Sequence, residues 1–159
     1  MSFEKENFLR TKLIGYLQRL DPSTPPHWGK MSVQHMIEHL ADIGFSVASG
    51  RHKFDTIVTA PDKLQRIRDF LMSEKSFKPG TINPMLPVEP APLQYKTVQA
   101  AIGALHEELI YFFARFEQDP QLVTRNPIFG DLDFVQNVQL LHKHSLHHLR
   151  QFGVEPLDA

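Results

Sequence analysis

The chain has 159 residues, 42% of them hydrophobic and 22% charged, with a formal net charge of −1 at pH 7 and no cysteine. That suits one compact domain and excludes disulfides, a cysteine nucleophile and thiolate ligands, leaving His, Asp and Glu as the metal-binding side chains. Scattered lysines and arginines predict no nucleic-acid surface; a charged N-terminus and the lack of any apolar run near ~20 residues predict a soluble, cytoplasmic protein with no membrane span.

A first amphipathic helix is predicted over about Glu4–Leu20, with Phe8, Leu9, Leu13, Tyr16, Leu17 and Leu20 at helical spacing and Asp21-Pro22 as its stop. Ser32 is placed to cap a second helix running to about Ala48, with Gly50 as its exit. A weaker third segment spans about Asp62–Lys75. Pro79–Pro92 holds five prolines and reads as an extended crossover loop. Thr97 caps a fourth helix, Val98 to about Glu117, and a last helix runs from about Asp133 to Phe152 with Gly153 as a left-handed stop. Strand alternation is hard to find. The expectation is one all-α domain, a four-helix bundle with an additional short helix, helix content well above half, and the last helix packed on the second.

The last helix carries His142, His144, His147 and His148, four histidines in seven positions. With Phe134 as zero and about 100° per residue, Val138, Leu141, Ser145, Leu149 and Phe152 fall within about 60° of it and define the buried stripe. His148 then lies at about −40° and His144 at about −80°, on the core-facing edge, one turn apart. His147, at about −140°, turns away, and His142, at about +80°, lies on the opposite flank. On the second helix the stripe of Val33, Ile37, Leu40, Gly44, Val47 and Ala48 favours His39 over His35. Asp42, three residues on, is placed to orient the free nitrogen of His39 or a bound water. Neutral imidazoles at this spacing suit zinc, nickel, copper or iron.

Other chemistries find no foothold: there is no G-x-S-x-G elbow, P-loop, G-x-G-x-x-G or H-E-x-x-H. His27, His52 and His106 read as ordinary solvated or hydrogen-bonded histidines, and Phe112, Phe113 and Phe116 as core.

Three stretches carry a family resemblance: Trp28-Gly29-Lys30-Met31-Ser32-Val33-Gln34-His35-Met36-Ile37-Glu38-His39-Leu40-Ala41-Asp42, then Asn126-Pro127-Ile128-Phe129-Gly130-Asp131-Leu132, then Lys143 through Gly153. In these the chain resembles the DinB/YfiT-like superfamily, in a branch long described only as a domain of unknown function. The resemblance covers most of the chain and is weak from about Arg51 to Gln94. It departs at two points: His148 is followed by Leu149-Arg150-Gln151 where many relatives have x-Gly-Gln, and Asn126 stands where some carry His.

The resemblance implies a four-helix bundle that binds one divalent transition metal, zinc or nickel foremost, through His39, His144 and His148. It also implies a small-molecule substrate, an external low-molecular-weight thiol and a homodimer formed through helix faces. Three imidazoles would leave a coordination position open for water or substrate, with metal affinity lost below roughly pH 6, and the resemblance implies that the activity there is thiol transfer or hydrolysis. The alternative is a non-catalytic, stress-related bundle that holds a metal or small molecule. Asp42, Arg150 and Gln151 are the candidates for orienting the ligands or binding an anion. Pro79–Pro92, with Met85, Leu86 and Val88, is expected to border the pocket.

Overall fold

The computed structural model describes residues 2–81, 83 and 86–159, so Met85 lies outside the described residues. The predicted first helix is two, α1 (Ser2–Thr11) and α2 (Leu13–Arg19), separated at Lys12, whose φ is −122°. Backbone bonds from Lys12 N to Phe8 O and from Tyr16 N to Lys12 O carry the chain through that kink. No proline or glycine stands at Lys12, so apolar spacing gives no sign of it. Phe8, Leu9, Leu13 and Leu17 are fully buried across both pieces.

The second helix begins where Ser32 predicts. Its hydroxyl accepts the N–H of His35, and the His35 ring takes the N–H of Ser32, a capping box built with a histidine. α3 spans Val33–His39 and continues directly into a π-helical stretch, Leu40–Ser46. Such wider winding occurs mostly as short insertions in α-helices, frequently at functional sites. Here it begins immediately after His39.

α4 (Pro61–Met72) starts on its proline, and α5 (Val98–Gln118) is capped by the Thr97 hydroxyl on Ala100 N. A short antiparallel hairpin follows, β1 (Thr124–Asn126) with β2 (Gly130–Leu132), Arg125 opposite Asp131. Three residues per strand are too few for alternation to register in the sequence. The Asn126 side chain builds the turn by accepting the N–H groups of Ile128 and Phe129. α6 (Phe134–Gln151) opens on an Asp133/Gln136 capping box. It closes with Gly153 N on Arg150 O and Val154 N on Leu149 O, with Gly153 at φ +79°. This is the Schellman geometry that the sequence position of Gly153 predicts.

One core gathers side chains from α1, α2, α3 with its π extension, α5 and α6. A smaller apolar cluster of Leu71, Phe129 and Leu132, with Phe77 and Leu140 against it, joins α4 and the hairpin to α6. The molecule is predominantly helical, at 54% of the described residues rather than well above half, because the connections between α3 and α4 and between α4 and α5 are long. The described part of Pro79–Pro92 forms no helix or strand. Its flanks are tied down: the Lys143 ammonium donates to the Ser73 and Lys75 carbonyls, and the Glu38 carboxylate accepts from Gln94 N and Tyr95 N. Among the described residues no helix is long and apolar enough to cross a membrane.

Candidate metal centre

The π-helical stretch packs on α6, and His39, the residue just before it, meets two histidines of α6 there. His39 Nε2 and His144 Nε2 are 3.0 Å apart, and His148 Nε2 lies 3.0 Å from the same His144 nitrogen. One ligand atom from each of the three residues lies within 4.8 Å of the others. A tetrahedral site with metal–nitrogen bonds of about 2.0–2.1 Å has a nitrogen–nitrogen edge of about 3.3 Å, so the spacing is of the right size. His148 is buried and its neighbours are half-buried.

The orientation of His148 follows from its neighbours. Gln151 Nε2 donates to the Trp28 carbonyl at 3.0 Å, which turns Gln151 Oε1 toward His148 Nδ1 at 2.8 Å. An amide oxygen can only accept, so Nδ1 carries the proton and Nε2 presents its lone pair to the other two histidines. The backbone repeats the link, with His27 N donating to Gln151 O at 2.7 Å. Gly29 sits over the amide at φ +75°, and a Cβ there would approach Gln151 Nε2 to 3.2 Å. The segment before α3 is thereby clamped to the end of α6 through the same side chain that orients His148.

The trio is one donor short. With the His148 Nε2 lone pair fixed, a proton on His144 Nε2 can satisfy one of its two 3.0 Å contacts well, not both. Nor is an extra proton favourable. Burial holds His39 down to about 4 and His148 to about 3, and pushes His144 well below the ordinary imidazole range, where the neighbouring histidines lower it further. Three converging neutral imidazoles that resist protonation fit a bound cation.

The walls are aromatic. The Trp28 ring is 5.3 Å from that of His147, and Phe77 stands 5.8 Å from His147 and 6.4 Å from His144. His147 is therefore not turned out to solvent, as the helical angle suggests; it is half-buried between Trp28 and Phe77. Phe77, two residues before the proline-rich stretch, is absent from the sequence-derived candidates, because nothing in the sequence signals that this loop folds back onto α6.

Not every candidate joins the trio. His35 is spent on the Ser32 cap. His142 points to the other flank, its ring edge-on to Phe8 at 5.4 Å. Asp42 makes no hydrogen bond to His39; it pairs with His52 at 3.4 Å and lines a separate cleft with Glu38 and Glu108. The π winding explains this, because each residue turns through a smaller angle than in an α-helix and Asp42 does not come back beneath His39. It still acts on His39 through space, opposing the effect of burial. Arg150 is taken up by Glu155, at 2.5 and 3.0 Å, and by Ser76 at 3.0 Å, away from the three rings. Of the three supporting candidates, Gln151 alone touches a member of the trio.

The chain matches no family model, no curated protein and no solved structure.

Proposed function

We propose that this chain is a DinB/YfiT-like four-helix bundle, and that His39, His144 and His148 hold one divalent transition metal, zinc or nickel, for thiol transfer to, or hydrolysis of, a small molecule. The convergence of three Nε2 atoms with one donor too few carries the reading. An ion held by three histidines, with a position left open, lowers the pKa of a bound thiol or water and polarises an electrophile. The protein's own part is to hold three neutral imidazoles in register. Gln151 fixes the His148 tautomer, and the π-helix sets His39 against α6. Trp28, Phe77 and His147 supply an apolar, aromatic border that limits water and suits an uncharged or aromatic substrate body. The absence of cysteine fits a thiol that arrives as a separate molecule.

Elemental analysis of the natively purified protein tests the site. About one ion per chain, lost in His144→Ala, supports it; a metal-free protein that takes up neither zinc nor nickel refutes it. Turnover of monochlorobimane with a panel of thiols, and of an ester panel, then separates transfer from hydrolysis. Tight metal binding with no turnover on either panel would instead mark a binding protein. The same family reading carries a homodimer through helix faces, and a monomeric mass by light scattering at micromolar concentration would remove that part.

A further inference from the structure

At the far end of α6 from the histidines, a cavity of about 390 Å³ opens between the hairpin, the end of α5 and the segment that follows the π-helix. α6 begins at Phe134, three residues after Asp131 of the lining, and Phe134 precedes His144 by ten residues, a distance of about 15 Å at ~1.5 Å per residue. It is thus a separate site, of a size that accommodates a small molecule.

Its charges are unevenly matched. Arg125 is neutralised within the hairpin: its guanidinium grips Asp131 at 2.8 and 3.2 Å and donates to the Asp55 carbonyl at 2.6 Å. Arg115, from the last turns of α5, has no such partner. Its Nε is buried without a hydrogen bond, and among the described residues its guanidinium makes no ion pair. Lys53, an exposed residue of the same lining, is likewise unpaired among the described residues. A buried Nε–H without an acceptor is costly, and the planar fork of a guanidinium matches an oxyanion best. The one carboxylate of the lining not spent on a hydrogen bond is that of Asp55, which lies toward Arg125. The Phe54 ring, stacked on His52 at 4.9 Å and 16°, adds a flat apolar wall.

We propose that this cavity binds a small molecule with a carboxylate or phosphate headgroup, received by Arg115 and Lys53, its apolar body resting against Phe54. The site is independent of the metal centre. Calorimetric titration of the metal-free full chain separates the two, because an anion cannot then be captured by an ion on the histidines. Inorganic phosphate, acetate, phenyl phosphate and benzoate are the probes, with benzyl alcohol as the neutral control. The two phosphates against the two carboxylates tell which headgroup is preferred, and the phenyl compounds report the Phe54 wall. Phenyl phosphate or benzoate should bind and benzyl alcohol should not. Arg115→Met should weaken binding roughly tenfold or more, as loss of hydrogen bonds to a charged group does. Lys53→Met should weaken it less and flatten its salt dependence. Should Arg115→Met fail to fold, amide shift changes on anion addition to the wild-type chain decide: perturbation centred on Phe54, Val123 and Thr124 supports the site. Perturbation elsewhere, equal affinity in the Arg115 variant, or no binding of any probe at millimolar concentration overturns it.

Discussion

Glu38 is buried one residue before His39 and accepts the backbone N–H of Gln94 at 2.7 Å, with a longer bond from Tyr95 and a third from Gln34 Nε2 at 2.9 Å. The proline-rich crossover is thus fastened at its far end to the helix that carries His39, while Phe77 stands against His144 near its start. Lys30 pairs with Glu89 between the two. Glu38→Ala leaves two backbone donors without their acceptor; because Gln94 and Tyr95 are exposed, water can replace it, and the cost should be about 1 kcal/mol. Amide exchange at Gln94 and Tyr95 should accelerate, while zinc stoichiometry stays near that of the wild type. Unchanged exchange at both amides would show that the carboxylate does not hold this segment.

The three-histidine reading separates neighbours on one helix. His39→Ala, His144→Ala and His148→Ala should each abolish metal binding, whereas His147→Ala should leave most of it, because its ring lies in the wall. Gln151→Leu removes the acceptor that fixes His148 Nδ1–H and should lower affinity about 10–100-fold with the helices intact. Competition with a chromogenic zinc chelator measures all five variants. Equal loss from His147→Ala and His148→Ala would contradict the assignment.

The helices are legible in the sequence where the chain marks its own ends. Ser32, Thr97, Asp133 and Gly153 each lie at the boundary they signal. Angular bookkeeping on an ideal α-helix also singles out the three histidines whose nitrogens meet, since α6 is regular from Phe134 to Gln151. It fails where the helix is not ideal or where contacts are distant. Asp42 follows the π winding, Arg150 answers to Glu155 beyond the helix end, and His147 is covered by Phe77, on the far side of the hairpin and α5 in sequence. The short hairpin and the kink at Lys12 leave no periodic trace at all. The oxyanion cavity is equally hidden, because it depends on which arginine finds a carboxylate, and that is decided by hairpin register.

Acid should act on the fold before it acts on the metal. In the unfolded chain His39, His144 and His148 titrate near the ordinary value of about 6.5, whereas burial holds His39 at about 4, His148 at about 3 and His144 well below its usual range. Between those limits the unfolded state binds more protons, so stability rises with pH. The contribution is complete above about pH 6.5 and is lost as pH falls toward 4. Urea midpoints of the metal-free chain at about pH 7, 6 and 5 should therefore decrease in that order. Zinc affinity, by contrast, should persist at about pH 6, lower than unperturbed imidazoles would allow, because the folded site stays neutral there. A steep loss of affinity between about pH 7 and 6, with the chain still folded, would contradict the burial of the three rings.

His142 separates a buried histidine from a liganding one. It is 6% exposed, its Nε2 is buried without a partner, and burial lowers it to about 4. Its ring packs edge-on against Phe8. Replacing it with leucine removes an unsatisfied polar atom and keeps most of the volume, so stability at about pH 7 should stay within about 1 kcal/mol of the wild type. At about pH 5 the variant should be the more stable of the two, since one residue that must charge on unfolding is gone. Metal stoichiometry should not change. Thermal melts at both pH values, with zinc analysis of the same samples, check these outcomes together. A variant that melts far below the wild type near neutral pH would mean that the His142 nitrogen has a partner holding it in place, and one that loses zinc would bring it into the metal centre.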